Sequence, residues 1–319
     1  MERKPKMLVV GSFVKSQIIS TKKLPEEGET ILGKTVFATL GGKGANQAVQ
    51  MARLGADVTM IGKIGRDQNG EDLLDACRRE SINVKHVLYD AKEETGFAFV
   101  VLERLLNEHA KNRVMVIPGA NMTIQKEEIA FLEDQIDQYD MVLLQNEIPQ
   151  EINETVAEYA SKKGVPVMLN PAPYEQLSEK LLHSVTYISP NEHEAAHMSG
   201  IKIHRDKGRF NLEEAKVAAL ILKGCGVANV LITLGKSGAF MMTKDHSYYK
   251  PALENIEIVD PSAAGEAFVG AFCTRICMGD NIGEAMVYAN HAGALAASRI
   301  GAMPALPTKK EVEQLLYGQ

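Results

Sequence analysis

The chain has 319 residues, 45% of them hydrophobic and 24% charged, which is a globular composition. It excludes a disordered chain, a collagen-like chain and a disulfide-stapled mini-scaffold. Lys and Arg number 35 against 41 Asp and Glu, so the net charge is −6 and there is no electrostatic footprint for nucleic acid or for an anionic membrane.

In chain order, residues 8–10 form a short apolar strand, cut short by Gly11 and Ser12. Residues 45–54 have helical periodicity and stop at Gly55, a C-cap residue. Residues 58–64 read as one strand and 71–80 as an amphipathic helix. After Asn121 the alternation becomes regular. Helices near 127–138, 152–163, 175–183 and 212–225 lead to strands at 141–144, 166–170, 186–189 and 229–233. Short apolar strands between amphipathic helices imply a parallel sheet covered on both faces. Two Ala- and Gly-rich helices follow at 266–278 and 282–299.

Two regions break this rhythm. Residues 15–40 and 95–117 are strand-rich and are expected to pair as a small β layer beside the main sheet. No long Ser-, Pro- or Gly-rich linker separates them, so residues 1–319 read as one α/β domain with a β lid. The polar, helix-prone stretch 103–113 reads as a solvated surface excursion.

Cys77, Cys225, Cys273 and Cys277 form no Cys-x-x-Cys pair and read as reduced thiols, mostly in the core. No run approaches the roughly 18 apolar residues of a membrane span. The first residues, Met1 to Met7, carry basic side chains but no apolar stretch of about 7–15 residues behind them. A cytoplasmic protein is therefore expected.

Four sites can carry chemistry. In Gly41-Gly42-Lys43-Gly44-Ala45-Asn46 a double glycine ends a strand where a helix starts. Such a junction exposes backbone N–H groups at a positive helix end and lets a polar ligand approach. Lys43 and Asn46 would flank that ligand. A tight turn with exposed polar residues explains the same pattern. The spacing is not that of a P-loop.

In Asp260-Pro261-Ser262-Ala263-Ala264-Gly265-Glu266, small residues lead into a helix with a carboxylate in its first turn. First-turn amides there can collect on a transferring phosphoryl group, and the carboxylate can accept a hydroxyl proton. The bland alternative is an acid favouring the helix dipole. Thr233-Leu234-Gly235-Lys236-Ser237-Gly238 follows a strand and suits a nucleotide edge or a hairpin turn. Residues 193–197 spell His-Glu-x-x-His, a zinc-protease pattern. They lie directly after a strand and Pro190, with Asn191 placed to N-cap, so His193 falls in a first turn and the solvated-helix reading is preferred.

Together these sites resemble the ribokinase-like carbohydrate kinases, nearly end to end. The resemblance covers residues 25–30, 41–54, 118–121, 170–173, 189–192, 231–238, 260–272 and 299–304 in order. It implies a three-layer, Rossmann-like α/β fold with a small β-sheet lid over a sugar, and ATP at the carboxyl ends of the main strands. It implies sugar contacts at Gly42, Lys43, Asn46 and Glu147. Asn191 and Glu194 match the Asn-x-x-Glu that organises Mg²⁺ and phosphates, which makes the His-Glu-x-x-His a coincidence. Thr233, Gly235, Gly238 and Asn290 match ATP contacts, and Ala263, Ala264 and Gly265 match the anion hole. Asp260, Ser262, Ala296, Arg299 and Gly301 match a loop for K⁺. A homodimer through the lid is also implied.

Three departures stand against these matches. Glu266 holds the position of the family's catalytic Asp. Its extra methylene moves the carboxylate by roughly an ångström, and such a misplacement can change a rate about 10²-fold. Val14 and Ser16 stand where the family carries Asn-x-Asp, whose Asp grips two ring hydroxyls; Ser16 is the remaining polar group there. Ala305 replaces a common Ser in the cation loop, and 103–113 replaces a short lid turn. The resemblance leads to an ATP-dependent kinase acting on a hydroxyl of a small sugar or nucleoside, with Glu266 as base. The changes at both base and sugar grip leave a second reading, a kinase fold that binds a ligand or partner without useful turnover.

Overall fold

The computed structural model describes residues 4–103, 111–206 and 209–318. The first half holds strands β1 (Lys6–Val10), β2 (Val14–Thr21), β3 (Thr35–Gly41), β4 (Asp57–Ile61), β5 (Lys63–Gly65), β6 (Leu88–Asp90), β7 (Gly96–Glu103) and β8 (Lys111–Ile117). Its helices are α1 (Lys43–Arg53), α2 (Gln68–Arg79), α3 (Lys126–Ile129) and α4 (Leu132–Gln135). The second half alternates β9 (Met141–Gln145), α5 (Gln150–Lys162), β10 (Val167–Asn170), α6 (Glu179–Ser184), β11 (Tyr187–Ile188) and α7 (Glu192–Ser199). A small ladder of β12 (Arg205–Asp206) and β13 (Arg209–Phe210) precedes α8 (Leu212–Gly224). Then come β14 (Asn229–Thr233), β15 (Ala239–Met242), β16 (Ser247–Lys250), α9 (Ala264–Met278), α10 (Ile282–Ala297) and α11 (Lys309–Tyr317).

Among the described residues the main sheet has eight strands in the order β16-β15-β14-β11-β10-β9-β1-β4. Its pairs are parallel from β4 to β14, and β15 and β16 are antiparallel. Alternation along β1 sends Met7 and Val9 into one core and Leu8 and Val10 into the other. The first core is closed by α1, α9 and α10, the second by α5 and α8. The chain leaves β1 for β4 on one side and β9 on the other. That reversal opens a crevice at the carboxyl ends of β1 and β9, where open α/β sheets bind ligands. The lid is a second sheet, β3-β2-β7-β8, rooted at the same ends. No described helix is long and apolar enough to cross a membrane.

Some elements differ from their sequence readings. Residues 58–64 are two strands that part at Gly62, where a Cβ would strike the Gly11 carbonyl and lie 2.8 Å from the Phe13 ring. Beyond it the chain leaves the main sheet, and β5 pairs with β6 instead. The helix read at 127–138 is broken into α3, α4 and a 3₁₀ turn, although Ile129, Leu132 and Ile136 still bury one face. The helix read at 175–183 begins only at Glu179, where Ser178 Oγ accepts the Leu181 N–H. Only Tyr187 and Ile188 of 186–189 join the ladder. In the stretch read as a polar excursion, Lys111 to Arg113 belong to β8, with Glu103 paired to Lys111; residues 104–110 lie outside the described residues.

Candidate active site

The strand-to-helix junction forms as the glycines require. Gly42 has φ 95°, and a Cβ on it would lie 2.7 Å from the Ser12 carbonyl, so side chains are excluded there. The tight turn points the first amide of α1 at Glu147: Lys43 N donates to Glu147 Oε2 at 2.9 Å. Ser12 Oγ donates to the same oxygen at 2.5 Å. Sequence reasoning missed Ser12, whose signal was a buried hydroxyl directly after an apolar strand. Asn46 is buried beside them with Oδ1 unpartnered.

From α1 the Lys43 side chain crosses the crevice to the start of α9, where Nζ lies 3.1 Å from Glu266 Oε1. Burial works against the Lys43 charge. The carboxylates of Glu266, Glu147 and Glu194 outweigh it and hold the ammonium above its usual range. One cation thus faces three acids. Ala263 caps α9 without a side-chain hydrogen bond, and a Cβ on Gly265 would meet nothing within 4 Å. The amides after Ala264 therefore open onto free space at the positive end of the helix dipole.

Asn191 and Glu194 form a reciprocal cap on α7. Asn191 Oδ1 accepts the Glu194 N–H at 2.9 Å, and Glu194 Oε2 accepts the Asn191 N–H at 2.8 Å. Burial pushes the Glu194 carboxyl up to about 7, against the pull of the Asn191 N–H and Lys43. The two histidines of the zinc-like pattern go elsewhere: His193 is 83% exposed, and His197 stacks on Tyr174 at 5.0 Å.

Thr233 ends β14 and bridges to Asn191, which puts the nucleotide-edge motif beside α7. The residues after Thr233 form the turn between β14 and β15, which is the hairpin reading of this motif. Gly235 opens a 3₁₀ turn that Gly238 closes. Asn290 Nδ2 is spent on the backbone, donating to the Lys250 and Pro251 carbonyls at 3.2 and 3.0 Å. Behind the α9 turn, Asp260 is fully buried. It accepts from Ser262 N and Oγ through one oxygen and from Gly301 N through the other. The Ala296 carbonyl accepts the Arg299 N–H, while the Arg299 guanidinium reaches Glu311 at 2.7 Å.

The lid side is less polar than the rest. Val14 is buried, and Ser16 lies on the same face of β2, paired with Thr39 and Ala98. Lys15 offers no substitute for the missing carboxylate: it points to the other face and binds Asp72 of α2 at 3.0 Å. Asn121, quoted only as part of a motif, holds the segment leading into β2. Its Oδ1 accepts the Phe13 N–H, and its Nδ2 donates to the Phe13 and Pro118 carbonyls, all at 2.8 Å.

Known proteins resemble this chain over nearly its whole length. The model of the pfkB family carbohydrate kinases matches residues 4–309. The ribokinase of Staphylococcus aureus is 35% identical over 312 residues, covering 97% of this chain and 99% of its own. The ribokinase of Bacillus subtilis is 34% identical over 308 residues, covering 97% and 98%. Among solved structures, Arabidopsis thaliana ribokinase complexed with ribose and ATP superposes with TM-score 0.85 at 30% identity, covering 99% of both chains. Sequence and fold agree with these matches over nearly the whole length, and the chain belongs to the pfkB family of carbohydrate kinases as a ribokinase-like sugar kinase.

Proposed function

We propose that this kinase transfers the γ-phosphoryl group of ATP to a hydroxyl of a small sugar or nucleoside, with Glu266 as general base. The observation that carries this reading is the pair of half-buried Lys43 and buried Glu266 at the open end of α9. A carboxylate there can take the hydroxyl proton while the amides of Gly265 and Glu266, past the Ala264 N–H that is spent on the Pro261 carbonyl, meet charge on the transferring group. Lys43, Asn46 and Glu147 would orient the sugar, with Gly42 letting it approach. Thr233, Gly235 and Gly238 would line the nucleotide. The Arabidopsis thaliana ribokinase complex with ribose and ATP supports both ligand classes.

The residues suit Mg²⁺ held mainly through phosphates. No group of three or more His, Cys, Asp or Glu converges on one point among the described residues. Mg²⁺ commonly uses one or two carboxylates, several waters and substrate phosphates. Glu194, fixed by Asn191, would supply such a carboxylate, and three acids around one ammonium leave negative charge for it. Bound there, Mg²⁺ would neutralise phosphate charge. A monovalent cation such as K⁺ fits the loop of Asp260, Ser262, Ala296, Arg299 and Gly301 for a related reason. Asp260 is a fully buried carboxylate, and no ion pair joins it among the described residues.

The sugar grip differs from an Asn-x-Asp grip. Val14 and Ser16 leave less charge for ring hydroxyls, so the substrate is one recognised more by Glu147, Lys43 and Asn46 than by the lid. The lid's edge strand β8 exposes Val114, Met115, Val116 and Ile117 in succession, at 51, 65, 42 and 57%. An uncovered apolar edge supports pairing with a second copy of the chain. No disulfide joins the four cysteines, which supports a reducing, cytoplasmic location.

The test is ADP formation with Mg²⁺ and K⁺ over a panel of pentoses, hexoses and nucleosides. Turnover with one acceptor, lost in Glu266→Gln, is expected. Silence with every acceptor would sink the proposal.

A further inference from the structure

Three buried amides lie between the sugar-side helix α1 and the segment leading into α7. Gln145 ends β9, Asn170 ends β10, and Gln47 lies across both from α1. Their hydrogen bonds run in one direction. Gln145 Nε2 donates to Gln47 Oε1 at 2.8 Å, and Gln47 Nε2 donates to Asn170 Oδ1 at 3.2 Å. Asn170 Nδ2 then donates to the Ser189 carbonyl at 2.9 Å. A carbonyl only accepts, so it sets which way Asn170 faces, and Asn170 sets the two glutamines in turn.

Stability alone gives no reason for this chain of amides. The residues two positions earlier on the same strand faces are Leu143 and Met168, both packed in the apolar core. At the far end Gln145 Oε1 is buried with no partner. An unpaired buried acceptor costs about 1–3 kcal/mol. A polar network kept at that cost is a candidate for function. Its position suggests which function. Gln47 is one turn along α1 from Lys43, Gln145 is two residues before Glu147, and Ser189 is two residues before Asn191.

We propose that the Gln145–Gln47–Asn170 chain is a strut that sets the spacing between the sugar hydroxyl and the phosphates, with Gln47 and Asn170 as positioning residues for phosphoryl transfer. The proposal rests on the substrate assignments made above. Transfer needs the reacting atoms about 3–3.5 Å apart, and a misplacement of about 1 Å costs roughly 10²-fold. No member of the strut is itself a candidate substrate contact. Losing it should therefore slow the chemical step and spare binding.

The test compares wild type, Gln47→Leu, Asn170→Asp and the double variant. Asn170→Asp keeps the shape but sets a carboxylate oxygen against the Ser189 carbonyl. We expect kcat to fall about 10- to 100-fold in each single variant, with calorimetric Kd values for sugar and for ATP unchanged. The double variant should be no worse than the poorer single one, because the strut acts as a unit. Unchanged kcat with only a lowered Tm would overturn the proposal, as would a loss residing entirely in one Kd. Should Gln47→Leu fail to fold, Asn170→Ser carries the same comparison. A wild type silent on every acceptor overturns the substrate assignments instead, and that result is seen before any variant is made.

Discussion

Lys43 and Glu266, 223 positions apart in sequence, meet at 3.1 Å between the sugar-side helix and the start of α9. Lys43 reaches the carboxylate of the longer Glu side chain where it stands. Replacing Glu266 by Gln keeps the shape and removes the proton acceptor, and should lower kcat about 10²- to 10⁴-fold. Glu266→Asp withdraws the carboxylate by roughly an ångström and should lower kcat toward 10²-fold. An Asp variant as fast as wild type or faster, in an ADP-release assay, would show that the site is still organised for the shorter acid.

In the proposed function Lys43 serves the acceptor side of the crevice. Its backbone N–H binds Glu147 and survives substitution, while its ammonium is lost in Lys43→Ala. Hydrogen bonds to charged groups contribute about 1.5–3 kcal/mol, so sugar Kd should rise roughly 10- to 150-fold. ATP Kd should stay unchanged, because Thr233, Gly235 and Asn191 lie on the other half of the sheet. Calorimetry showing equal losses for both ligands contradicts that division.

The lid position two residues along β2 from Val14 is open to a gain of function. Ser16 faces the same side as Val14, and Lys15 is engaged with Asp72 on the other. Ser16→Asp combined with Val14→Asn restores a carboxylate and an amide to that face. Ribose affinity should rise by about tenfold or more, at 1.5–3 kcal/mol per charge-assisted bond. If titration shows no gain, the crevice is shaped for an acceptor that a lid carboxylate does not reach.

Much of this site was legible in the sequence because its parts are local. The double glycine before Lys43, the Asn191 cap with Glu194 and the small-residue turn before Glu266 each announce a helix start within four residues, and each forms as expected. The sequence hid what depends on distant partners. Gly62 looks like an ordinary strand residue until the Gly11 carbonyl and the Phe13 ring are seen against it. Lys15 lies between Val14 and Ser16 in sequence, and only the fold shows that it turns away to Asp72. Gln145 and Asn170 look like polar strand ends, and only the packing of α1 turns them into a chain with Gln47. Local periodicity encodes which face a residue takes. It does not encode which side chain waits on the other side.

Glu194 gives the stability curve a recognisable pH dependence. Burial pushes its carboxyl from the usual 4.5 to about 7, so the folded state favours the protonated form. The stability it contributes is fully present below pH 4.5 and is lost as pH rises through 7, when folding must bury the charge. At 1.36 kcal/mol per pH unit of difference, the loss is on the order of 3 kcal/mol. Glu194→Gln removes the titration and keeps an acceptor for the Asn191 N–H. Measured by urea unfolding in metal-free buffer, wild type should lose stability relative to this variant between pH 4.5 and 8. A difference that stays flat over that window would mean that Glu194 ionises in the fold as easily as in the unfolded chain. Glu194 would then be fully charged at neutral pH, and a cation could bind it without first displacing a proton.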